Sequence, residues 1–100
     1  MMFGLKDEII ANIRSVLMKY EMINRAFIFG SRARGDYKYN SDIDLALECK
    51  GKCPPGIWAE LDEAAGIYKI DVVDLNSSLE EKLRKRIKEQ GVEIYSRVSG

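Results

Sequence analysis

The stretch FIFGSRARGDYKYNSDIDLAL, Phe27 to Leu47, decides the fold. An apolar run stops at Gly30-Ser31, a basic loop with two tyrosines follows, and a second apolar run carries Asp42 and Asp44. The second run alternates: Ile43, Leu45 and Leu47 share one face of a strand, and Asp42, Asp44 and Ala46 share the other. Carboxylates embedded among aliphatics carry a desolvation cost, so they need a partner.

Working outward, residues 5–20 read as an amphipathic helix, with Leu5, Ile9, Ile13, Val16, Leu17 and Tyr20 on one side. RAFIF, residues 25–29, reads as a buried strand. A short helix is expected to start at Ser31. CKGKCPPG is a loop rich in turn formers, residues 57–66 form a short helix, and YKIDVVDL is a third strand. Ser78 with Glu81 three residues on reads as a capping box that opens a last helix. Leu79, Leu83 and Ile87 give that helix a thin apolar stripe, and Gly91 ends it. VEIYS is a candidate edge strand. This order predicts an α/β fold, a small mixed β-sheet with helices packed on it, in one domain spanning residues 1–100.

The bulk properties narrow the chemistry. The chain has 100 residues, with 16 basic and 16 acidic side chains, so no global charge argues for nucleic acid or a membrane surface. No apolar run approaches the ~20 residues of a membrane span. The N-terminus lacks the pattern of a signal peptide, so a cytoplasmic location is expected. Histidine is absent, which removes Ser-His and Cys-His mechanisms. Cys49 and Cys53 cannot complete a four-ligand zinc site alone, and two reduced thiols are the expected state. Trp58, near a Pro-Pro-Gly turn, is expected in the core, with a partner interface as the alternative.

Asp42 and Asp44 would stand about 6.6–6.8 Å apart along the strand and converge on one point. Two bare carboxylates that close repel each other, and a divalent cation removes the conflict. Mg²⁺ favours carboxylate oxygens and leaves room for substrate phosphate. Asp71, between Ile70 and Val72, is a third acid, on a strand able to pair beside the first two. It is preferred over Asp74, which falls on the opposite face near the strand end. Three such carboxylates suit a two-metal phosphoryl or nucleotidyl transfer site. At the Gly30-Ser31 turn, backbone N–H groups can approach an anion and the Ser31 hydroxyl can donate. Arg32, Arg34 and Lys38 add positive charge for a triphosphate, although Arg34 could equally pair with an aspartate to fix its loop. Gly30 and Gly35 have P-loop spacing, but Asp36-Tyr37 stands where Lys-Ser/Thr is required. The charged run EEKLRKRIKEQ reads as a solvated helix face.

Gly30-Ser31, ten residues, Asp42-Ile43-Asp44 and a later strand acid at Asp71 together resemble the nucleotidyltransferase signature of the DNA polymerase beta superfamily. Within it, FGSRARGDYKYNSDIDLAL is similar to the minimal nucleotidyltransferase (MNT) proteins, and the resemblance runs from about Phe27 to Tyr95. It implies a polymerase-beta-like fold. Gly30 and Ser31 would hold NTP phosphates, Asp42 and Asp44 would bind Mg²⁺, and Asp71 would be the third carboxylate. It also implies a helical HEPN-type partner, with this chain as an antitoxin that transfers AMP from ATP to a tyrosine of that toxin. Self-association is the other way to complete so small a site. An antitoxin acting by binding alone and a small-molecule nucleotidyltransferase are the rival readings.

Overall fold

The computed structural model describes residues 2–97. Four strands form one mixed sheet in the order β3-β2-β1-β4. The chain runs α1 (Asp7–Met18), β1 (Ile23–Phe29), α2 (Ser31–Arg34), β2 (Ile43–Cys49), α3 (Ile57–Ala64), β3 (Ile70–Asp74), α4 (Glu81–Gln90) and β4 (Val92–Ser96). Strand β1 pairs antiparallel with β2 and β4, while β2 and β3 run parallel, with α3 in the connection between them. The expected mixed α/β sheet and its closing edge strand are both present.

One face of the sheet carries the main core. Ile28, Ile43, Leu45 and Leu47 are fully buried there against Ile10, Ile13 and Leu17 of α1 and Ile57 and Leu61 of α3. The alternation in β2 causes this: every second side chain turns toward those helices. On the other face Phe29, Ala46 and Ile87 of α4 form a smaller cluster, joined by half-buried Phe27, Val73, Leu79 and Leu83. Ala46 lies under that cluster, so the face of the acids is apolar at its centre.

Several expectations need correction. Helix α4 starts at Glu81, its N-cap is Glu80, and no side chain caps it. The Ser78 capping box therefore does not form. Instead the Ser77 hydroxyl donates to the Asp74 carbonyl (2.6 Å), and the Asn76 N–H donates to Asp74 Oδ1 (2.8 Å), which tightens the turn after β3. Cys49 and Cys53 are joined in a disulfide rather than held as free thiols. The end of β2 and the following loop bring their Cα atoms to 5.5 Å, a normal bridging distance. Trp58 is 37 % exposed rather than in the core. No helix of the described residues is long and apolar enough to cross a membrane.

Candidate active site

The parallel pairing of β2 and β3 sets the site. Asp44 and Asp71 are register partners, so their side chains leave the sheet on the same face. Asp74 pairs with Leu47, on the opposite parity, and its carboxylate serves the turn. Asp42 lies just before β2, half-buried.

Gly30 meets the acids from β1. Its φ is +74°, a left-handed conformation that glycine adopts without a Cβ penalty. A Cβ there would stand 2.2 Å from Asp44 Oδ2, so the backbone turn closes directly onto the carboxylate. Helix α2 begins at the next residue, Ser31. Phe29, Gly30, Ser31, Arg34, Asp44 and Asp71 all line one cleft of about 370 Å³.

Crowded charge marks this cleft. The Asp44 carboxyl is raised above its ordinary range, first by burial and then by repulsion from Asp71 and Asp42, with Arg34 pulling the other way. Among the described residues no three acidic side chains form a ready-made metal cage. The donors are nevertheless all oxygen, and the repulsion felt at Asp44 is what a hard divalent cation relieves. Of the three expected acids, Asp44 and Asp71 line the cleft and Asp42 is not among its lining residues, and carboxylate oxygens of this kind are donors that Mg²⁺ favours.

The family model described as "Polymerase beta, Nucleotidyltransferase" matches residues 11–99. The chain belongs to the polymerase beta nucleotidyltransferase family. A Methanocaldococcus jannaschii protein named "Putative protein adenylyltransferase MJ0435" is 36 % identical over 92 residues, spanning 88 % of this chain and 96 % of the relative. Two solved structures share the fold. A chain of a toxin–antitoxin complex with AMP-PNP superposes with a TM-score of 0.74 at 24 % identity, covering 88 % of this chain and 73 % of the other. A chain from the complex of a tri-AMPylated Shewanella oneidensis HEPN toxin with its MNT antitoxin gives 0.66 at 20 % identity, covering 89 % and 71 %.

Within this nucleotidyltransferase the loop cations separate. Arg32, expected at the phosphates, is buried and faces the loop. It donates to the carbonyls of Phe3 (2.9 Å), Ser41 (2.8 and 3.1 Å) and Tyr39 (3.3 Å) and sits over the rings of Tyr37 and Tyr68. Its donors are thereby directed to the N-terminal Phe3 and to the segment that leads into Asp42, and it is not among the residues lining the cleft. Arg34 makes the aspartate pair foreseen for it, with Asp36 at 3.3 Å, and also lines the cleft. Lys38 is exposed, with its backbone N–H donating to Ser41 Oγ. The residue missed in the sequence is Arg86 of α4, which lines the cleft opposite the strands. The available signal was its position three residues after Leu83 and beside Ile87, on the flank of the apolar stripe rather than the solvent side.

Proposed function

We propose that the chain is a Mg²⁺-dependent protein adenylyltransferase that moves AMP from ATP to a tyrosine hydroxyl of a HEPN-like partner, as the antitoxin of such a pair. The observation that carries this reading is the Asp44–Asp71 register pair facing the Gly30-Ser31 turn across one cleft. The M. jannaschii relative supports the choice of a protein as acceptor.

The following division of roles is consistent with the placement of these residues. The Gly30-Ser31 backbone and the Ser31 hydroxyl hold phosphate oxygens, and Arg34 adds positive charge beside them. Asp42, Asp44 and Asp71 would hold Mg²⁺, which when bound neutralises phosphate charge during transfer. Asp71, exposed at the sheet's edge strand, is the carboxylate able to accept the proton of an incoming hydroxyl. That oxygen attacks the α-phosphorus in line as pyrophosphate departs. The cleft is open to solvent on one side, which leaves room for an acceptor carried on a partner.

The test is to co-express the chain with its genomic neighbour, isolate the complex and measure the partner's mass with and without ATP and Mg²⁺. A gain of one or more AMP groups, lost in the Asp42→Asn, Asp44→Asn double variant, is the expected result. A tight complex with unchanged mass, together with full protection by the double variant, would instead favour neutralisation by binding alone.

A further inference from the structure

Helix α4 forms the wall of the cleft that no phosphate motif accounts for. Leu83 and Arg86 face the same space as Ser31, Asp44 and Asp71. Leu83 is half-buried in the small cluster on the acid face, which fixes this side of the helix against the sheet. Three nearby cations are engaged elsewhere, while Arg34 shares the cleft. Arg84 donates to the carbonyls of Leu75 (2.8 Å) and Ser77 (3.0 Å), Lys85 lies 4.0 Å from Glu89, and Arg32 is held by the loop. Arg86 is exposed and makes no hydrogen bond or ion pair among the described residues. It is therefore a guanidinium beside two acids that already repel each other, yet paired with neither.

We propose that Arg86 binds the phosphate chain of the nucleotide and, in doing so, latches α4 over the cleft. This rests on the nucleotide-binding reading above. The planar fork of arginine matches two phosphate oxygens at once, which lysine cannot do. The helix suits a latch because its own hold is slight: Ile87 is its single buried side chain, with Leu83 in support. A segment held by few apolar contacts opens locally at low cost, so one added ionic contact changes its protection measurably. Substrate would thus steady one wall of its own site.

Calorimetric titration with Mg-ATP and hydrogen exchange across residues 81–90 test this on wild type, Arg86→Gln, Arg86→Lys and Lys85→Ala. Arg86→Gln should weaken Mg-ATP binding by about ten- to a hundredfold and abolish the slowing of exchange that Mg-ATP causes in α4. Arg86→Lys should fall between, and Lys85→Ala should match wild type. Melting of the unliganded Arg86→Gln protein should be nearly unchanged, because Arg86 is exposed and makes no hydrogen bond or ion pair among the described residues. Wild-type affinity in Arg86→Gln would overturn the latch and leave the nucleotide reading standing. A wild-type protein that does not bind Mg-ATP would overturn both.

Discussion

On one face of the sheet Ile28, Ile43, Leu45 and Leu47 are fully buried beneath α1 and α3. On the other, Phe27 and Val73 are half-buried, Asp44 is half-buried and Asp71 is exposed, with α4 packed there chiefly through Ile87. The same strands supply both faces, and the period of two separates their work residue by residue. The first face is built from groups that water drives together. The second keeps carboxylates in mutual repulsion and leaves space beside them. Stability and chemistry can therefore be perturbed independently through adjacent positions of one strand.

The largest effect expected is on the first face. Leu45→Ala should lower unfolding free energy by about 2–5 kcal/mol, read from denaturant melts. A cost below about 1 kcal/mol would break the comparison, because the closed face would then not be the one that holds the fold. The two loop arginines sharpen it next. Arg32→Ala should destabilise by roughly 1–3 kcal/mol, since the buried guanidinium's bonds to the Phe3, Tyr39 and Ser41 carbonyls are lost. Arg34→Ala should change stability by less than about 1 kcal/mol, as an exposed pair with Asp36 allows, while weakening Mg-ATP binding. Equal melting losses would show that the two are not divided between scaffold and site.

The smallest effect is in pH. The Asp44 carboxyl is raised in the folded state by burial, then by Asp71 and Asp42. The folded protein consequently holds that proton more tightly than the unfolded chain does. Its contribution favours folding at low pH and is lost as pH rises from the ordinary value of 3.8 through the raised one. Asp44→Asn should thus melt slightly higher than wild type at neutral pH, and the difference should vanish below 3.8. Added Mg²⁺ should raise the wild-type melt at neutral pH and leave the variant unmoved. Lower stability of the variant at neutral pH would contradict the stated repulsion.

What could be read from the sequence follows the same division. The alternation of Ile43, Leu45 and Leu47 and the stop at Gly30 are local patterns, and they located the sheet, its core face and the opposite face that carries Asp44. Pairing of Asp44 with Asp71 was anticipated only as a strand able to lie alongside, because register is a tertiary choice. The destinations of Arg32 and Arg86 were not legible. Both stand in basic runs, and which side chain turns to a loop carbonyl and which to the cleft depends on distant packing. Ser78 had a good capping pattern, but the Asp74–Ser77 turn took up that stretch and the helix began later. For Cys49 and Cys53, the expectation of reduced thiols rested on compartment, whereas a strand end and a tight loop bring their Cα atoms to 5.5 Å in a disulfide.

The measurement that bears most directly on the account is made on Asp71→Asn: transfer of labelled AMP from ATP to the partner, with thermal melts on the same samples. Asp71 is exposed on the acid face and is paired in register with Asp44, so its charge should matter to chemistry and hardly to folding. The account predicts an unchanged or slightly raised melting temperature with transfer sharply reduced. Wild-type transfer by Asp71→Asn, at any melting temperature, would contradict it.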